Sequence, residues 1–73
     1  MNKLKEFRDK TGVNGHEFAR TVKLSAPTIH NIENGKKNPS LKTAYKIVNA
    51  INLLGVPCSI VDIFPPEDLK QAS

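Results

Sequence analysis

Apolar side chains recur at helical spacing in five short stretches of this chain, and polar or helix-ending residues separate the stretches. In the first stretch, Leu4 and Phe7 are three residues apart and Gly12 follows. The longest stripe comprises Leu41, Ala44, Ile47, Val48, Ile51 and Leu54. Residues three or four positions apart share one face of an α-helix, and that face can pack against a core. The pattern therefore predicts an all-α fold, a compact bundle of five short helices.

Asn14 and Glu17 mark the start of the second helix. At this spacing a cap side chain and a carboxylate bond each other's free backbone N–H groups, which is the arrangement called a capping box. Val13 and Phe18 lie where a hydrophobic staple forms. The second helix is therefore predicted over residues 15–22.

Ser25 marks the start of the third helix, because serine is a favoured N-cap residue. Pro27 falls in the first turn, where the missing N–H of proline costs nothing. Gly35 can take the left-handed conformation that ends helices. The third helix is therefore predicted over residues 26–34.

Only Lys23 and Leu24 separate the second helix from the cap of the third. So short a connection forces the two helices to cross sharply, as the helices of a helix-turn-helix do. Ile29 and Ile32 point to one side of the third helix, and its other side is free. This geometry makes DNA the first partner to consider.

The other helices complete a single domain. They are predicted from residue 2 or 3 to residue 10, over residues 41–54 after the Ser40 cap, and over residues 60–64. Ser59 and Asp62 have the spacing of another capping box, at the start of the fifth helix. We expect a helix-turn-helix domain over residues 1–64 and a polar C-terminal tail over residues 65–73.

The charge balance of the chain favours a polyanionic partner. Eleven Lys and Arg residues against seven Asp and Glu residues give a net charge of +4 over 73 residues. The isoelectric point is about 9.5. This sign is expected for a protein that binds nucleic acid, although many small soluble proteins are also basic.

The apolar runs are short. Residues 51–54 and 60–64 fall far below the roughly 20 residues that a membrane-spanning helix needs. Residues 1–4 lack the apolar stretch of a signal peptide. We expect no membrane partner and a cytoplasmic location, associated with the nucleoid of a bacterial host cell.

The sequence offers no motif for catalysis or metal binding. Cys58 is a lone cysteine, and with His16 and His30 far from it in sequence it makes no ligand set. We interpret Cys58 as a small buried or half-buried hydrophobe. No phosphate-binding glycine loop or nucleophile motif occurs. We predict that the chain is not an enzyme and takes no metal ion or cofactor.

Several residues recur in the register of a known pattern. They are Phe18-Ala19, Leu24-Ser25, Ile29, Ile32-Glu33-Asn34-Gly35-Lys36 and Pro39-Ser40. Over positions 4–64 the chain resembles the DNA-binding domains of phage Cro and repressor proteins and the wider xenobiotic-response-element family of bacterial regulators. The resemblance implies a lambda-repressor-like bundle with the third helix in the major groove. It also implies a sequence-specific transcriptional regulator of operator DNA, in a phage or prophage switch.

The resemblance carries specific roles onto this chain. Base-reading positions are Ser25, Ala26, Pro27, Thr28, His30 and Asn31. Phosphate-binding positions are Asn14, Gly15, Asn34, Lys36 and Lys37. Arg8 matches an arginine of the first helix that pairs with the glutamate before the Asn-Gly stop, here Glu33, and this pair braces the third helix.

Two residues depart from the family pattern. Gly15 stands where the family commonly has a glutamine that bonds both a phosphate and a side chain of the third helix. Lys23 stands where the turn commonly has glycine, so it must either adopt a left-handed conformation or change the turn. Among the base-reading positions only Asn31 can make a bidentate contact with a base, which predicts modest sequence discrimination.

That sparse reading face favours a second hypothesis, a modulator or antirepressor that binds a cognate repressor protein, as in phage lysogeny switches. The candidate protein interface comprises Leu53, Ile60, Val61 and Phe64. Such a surface would serve a homodimer or a hetero-partner, and the alternative is that all four residues close the core. A third hypothesis is an antitoxin-type autoregulator.

Overall fold

Five helices make up the computed structural model, which describes residues 2–66. They are α1 (Leu4–Thr11), α2 (Gly15–Val22), α3 (Ala26–Glu33), α4 (Leu41–Leu53) and α5 (Ile60–Ile63). The predicted all-α bundle is confirmed, and α2 has the predicted bounds. None of these helices has the length and apolar character needed to cross a membrane. The predicted polar tail lies outside the described residues from position 67 onward.

Four of the five helices end one residue away from the predicted position, and α1 runs to Thr11 instead of Lys10. Asn34, Leu54 and Phe64 were predicted to be helical, but each is the residue that caps its helix. Their N–H groups still donate to helical carbonyls, while the backbone itself leaves the helix, with φ −90° and ψ 4° at Asn34. The first helix begins at Leu4 because the side chain of Asn2 accepts a hydrogen bond from the Leu4 N–H at 3.0 Å.

All five helices contribute to one hydrophobic core. Its buried residues are Leu4, Phe18, Ala19, Val22, Ile29, Ile32, Ala44, Ile47, Val48, Ala50, Ile51, Ile63 and Phe64. The predicted α4 stripe is wrong at Leu41, which is 43% exposed. Leu41 is the first residue of α4, and Pro39, just ahead of the helix, is buried instead.

The four residues of the candidate protein interface do not form one surface. Phe64 is fully buried as a member of the core, and Ile60 is half-buried against it. The prediction of an outward surface is therefore wrong for Phe64. Leu53 and Val61 are 85% and 60% exposed.

One amide side chain holds the connection between α4 and α5. Asn52 donates from Nδ2 to the carbonyl oxygens of Val48 and Cys58, each at 3.1 Å, and accepts from the Cys58 N–H at 3.0 Å. The Asp62 carboxylate then accepts from the N–H of Ser59 at 2.8 Å and from its hydroxyl at 3.0 Å. These bonds lower the pKa of Asp62, and burial raises the pKa of the Cys58 thiol.

Candidate nucleic-acid interface

The N-terminus of α3 is capped by a side chain of the chain itself, that of Ser25. The Ser25 hydroxyl accepts from the Thr28 N–H at 3.2 Å, and the two hydroxyl oxygens lie 2.7 Å apart. Pro27 lies in the first turn, as predicted. Both hydroxyls predicted to face bases are thus already hydrogen-bonded to each other, which leaves each with reduced capacity for a direct base contact.

The outer face of α3 carries two exposed residues, Pro27 and His30, beside half-buried Ala26 and Asn31. One turn beyond His30, the Asn34 side chain places Nδ2 3.0 Å from the His30 Nε2. This bond links a position predicted to read bases with one predicted to hold a phosphate. Packing explains why the face points outward, because Ile29, on the opposite side, is 1% exposed.

The start of α2 offers backbone donors. The Asn14 side chain accepts from the Glu17 N–H at 2.9 Å, so that half of the predicted capping box is present. A Cβ built on Gly15 would meet nothing within 4 Å. The N–H groups of the first turn have no helical acceptor, and the helix dipole makes such an end attractive to a phosphate.

A cleft of about 490 Å³ separates the start of α2 from the outer face of α3. It is lined by Arg8, Gly15, His16, Ala26, Pro27, Ile29, His30 and Glu33. Gly15 and Ala26 are the smallest of these residues. The cleft therefore offers open space beside position 15, where the resemblance implies a glutamine.

The C-terminal end of α3 is held by α1 and the residues before it. Arg8 Nε donates to the Glu33 carboxylate, and Arg8 Nη1 donates to the Val13 carbonyl at 3.0 Å. Arg8 and Glu33 side chains are only 12% and 8% exposed, and the Glu33 hydrogen bond raises the pKa of Arg8. Asn2 Nδ2 also donates to the Ile32 carbonyl at 2.8 Å.

The Asn2 bond was missed by sequence reasoning. It joins residues 30 positions apart, and a short-range pattern contains no signal for such a pair. The Arg8–Glu33 contact, by contrast, lies where the resemblance to repressor domains placed it.

Two lysines stand beside the end of α3. Gly35 takes the left-handed conformation with φ 74°, and the N–H groups of Lys36 and Lys37 donate to the Asn31 carbonyl at 2.9 and 3.2 Å. Both lysine side chains are exposed. The loop thus presents two amines on the same end of α3 that carries Asn31 and Asn34.

The turn between α2 and α3 contains Lys23, for which the sequence left two backbone conformations open. Lys23 adopts the left-handed conformation with φ 61° and ψ 40°, and the Leu24 N–H donates to the Ala19 carbonyl at 2.9 Å. Of the two expectations for Lys23, the left-handed conformation is thus confirmed, and it is a strained one for a residue with a side chain.

Comparison with known proteins gives a consistent result. A family model described as helix-turn-helix matches residues 4–55. A protein of Archaeoglobus fulgidus described as an HTH-type transcriptional regulator is 44% identical over 62 residues, which cover 85% of this chain and 80% of that protein. A similarly described protein of Methanocaldococcus jannaschii is 42% identical over 67 residues, covering 92% and 94%. Antitoxin HipB of an Escherichia coli O6:H1 strain is 31% identical over 70 residues, covering 96% and 74%.

Proposed function

The chain belongs to the helix-turn-helix family of DNA-binding transcriptional regulators, and we propose that it is a sequence-specific transcriptional regulator of the Cro and repressor type. The observation that carries this proposal is α3 itself. Its inner face is anchored in the core, its start is capped, and its outer face is bordered by the amines of Lys36 and Lys37. A phage or prophage switch is the setting that the sequence resemblance implies.

We assign two kinds of DNA contact. Asn31 is the main base-reading residue, because its amide can pair with adenine in the major groove. Ser25, Ala26, Pro27, Thr28 and His30 complete the base-facing set. Phosphates are held by the first turn of α2 at Asn14 and Gly15 and by Asn34, Lys36 and Lys37.

A homodimer on two half-sites follows from the small size of this interface. One domain of this kind covers a short stretch of the major groove, and regulators of this class bind half-sites about 34 Å apart, which is one turn of DNA. Dimer binding supplies the discrimination that a single sparse α3 lacks.

The experiment is selection of binding sites from a random duplex library with the whole chain. We expect a two-fold symmetric consensus. Asn31→Ala should relax selectivity at one base position of each half-site, while Lys36→Ala should weaken binding to all sequences and reduce the salt slope by about one. Lys5→Ala, on the exposed side of α1, is the matched control. Equal affinity for selected and random DNA would refute the proposal.

An antitoxin-type autoregulator is the second candidate, favoured by the similarity to HipB over 96% of this chain. Co-expression with the product of the neighbouring gene tests it. An antitoxin relieves growth arrest caused by that product, and a regulator without a toxin partner does not. A repressor modulator would instead form a stable complex with a cognate repressor in size-exclusion chromatography.

A further inference from the structure

A second groove lies between the C-terminal parts of α2 and α4. It has a volume of about 260 Å³ and is lined by Thr21, Val22, Lys23, Lys46, Asn49, Ala50 and Leu53. Its four α4 residues are spaced by three, one and three positions, so they form one continuous stripe along the helix. None of the lining residues belongs to the sets assigned to bases or phosphates.

The groove combines a buried apolar floor with an exposed apolar wall. Val22 and Ala50 are each 5% exposed, whereas Leu53 is 85% exposed. Leu53 is the most exposed of the large hydrophobic residues in the described part of the chain. Contact with an apolar partner side chain would remove this leucine from water, which is favourable.

The charge of the groove has one sign. The side chains of Lys23 and Lys46 are exposed, and no Asp or Glu is among the residues that line the groove within positions 2–66. Lys23 is also the one non-glycine residue of that range with a positive φ. A complementary surface must therefore be apolar at its centre and acidic at its edge.

We propose that this groove binds an acidic amphipathic helix of a protein partner. Apolar side chains of that helix lie against Leu53 and the Val22–Ala50 floor, and its Asp or Glu side chains pair with Lys23 and Lys46. A helix fits because its apolar residues recur at the same spacing as the four α4 residues that line the groove. Such matched spacing is the usual basis of helix-in-groove recognition.

Two other occupants fit less well. A second copy of this chain in a two-fold contact would set the groove against itself and bring lysines face to face, which is repulsive. A DNA backbone would satisfy the lysines but would leave the exposed leucine against a polar, charged surface. The lysine-flanked apolar groove thus matches an acidic protein segment.

The test is selection from a display library of random helical 14-residue peptides, with the whole chain as bait and with counter-selection on Leu53→Glu. We expect enriched peptides to combine leucine-like residues at helical spacing with acidic flanks. Their binding should shift the NMR amide signals of residues 21–23 and 46–53. Lys46→Glu should weaken an enriched peptide at least tenfold, and exchanging its acidic residues for lysine should abolish binding.

Val61→Ser is the control, because it removes an exposed apolar residue outside the groove. Failure to enrich any peptide over the Leu53→Glu bait would overturn the proposal. So would peptides without acidic residues, or NMR shifts centred on the Lys36–Lys37 loop. Each readout is made without DNA, so its failure is distinguishable from a failure of the proposed DNA-binding function.

Discussion

The two ends of α3 are built in different ways. At the C-terminal end, Glu33 is bound to Arg8, and the Ile32 carbonyl accepts from Asn2. At the N-terminal end, the side chains of Ser25 and Thr28 hydrogen-bond to each other, beside the cleft lined by Gly15 and Ala26. The C-terminal end of α3 is thus held to the rest of the fold by side-chain hydrogen bonds, whereas the N-terminal end is held by its own cap and borders open space.

The largest expected effect is at the anchored end. Ile32→Ala removes a side chain that is 1% exposed, and such a truncation costs about 3 kcal/mol of unfolding free energy. Because a domain of this size loses about 4–8 °C in Tm per kcal/mol, thermal unfolding should show a fall of more than about 12 °C.

Asn31→Ala is the control, because Asn31 is the preceding residue and lies half-buried on the outer face of α3. We expect it to change the unfolding free energy by less than about 0.5 kcal/mol, since the backbone carbonyl that holds the following loop is retained. Similar losses for the two variants would mean that the outer face also carries structure, and the contrast between the faces of α3 would fail.

The next largest effect concerns the Arg8–Glu33 pair. Glu33→Ala leaves the largely buried guanidinium of Arg8 without its carboxylate partner. We expect a loss of about 2 kcal/mol of unfolding free energy. A double-mutant cycle with Arg8→Ala, followed by urea unfolding, should give a coupling above about 1 kcal/mol.

Asp9 supplies the matched control for this pair. It lies 3.9 Å from Arg8, but its side chain is 63% exposed, so Asp9→Ala should cost less than about 0.5 kcal/mol. A coupling near zero between Arg8 and Glu33 would show that this pair does not fix the C-terminal end of α3, which packing and the Asn2 bond would then hold.

Short-range patterns predicted the helices well because caps and apolar spacing act within one or two turns. Ser25 and Asp62 form the bonds that their spacing indicates. Residues whose fate depends on tertiary placement were not predictable. Asn2 bonds a carbonyl 30 residues away, and Phe64 is buried while nearby Val61 is exposed, although both are apolar residues at a helix only one turn long.

In the candidate site, too, some features were predictable from the sequence and others depended on tertiary packing. The resemblance located the outward face of α3, since anchors such as Ile29 recur in register. It could not decide between two backbone paths at Lys23, because the cost of a left-handed lysine is small enough for packing of the flanking helices to override it.

A smaller effect is expected at the turn that leads into α3. Lys23→Gly removes the strain of a left-handed side-chain-bearing residue and should raise the unfolding free energy by about 0.5–1 kcal/mol. Lys23→Ala keeps that strain and is the control, so urea unfolding should show no gain for it. If alanine stabilises as much as glycine, the strain is not conformational and comes from the lysine side chain.

The smallest effect on stability is expected at Gly15, where two substitutions separate helix formation from DNA reading. Gly15 has no positive φ and has open space at its Cβ position, so Gly15→Ala should stabilise the fold by about 0.5 kcal/mol with little change in DNA affinity. Gly15→Gln adds the same backbone preference together with an amide that extends into the cleft beside α3. Its donors can reach a phosphate, so fluorescence anisotropy with the selected operator should show affinity several-fold above that of Gly15→Ala. Equal affinities for the two variants would mean that the free space beside Gly15 does not limit DNA affinity.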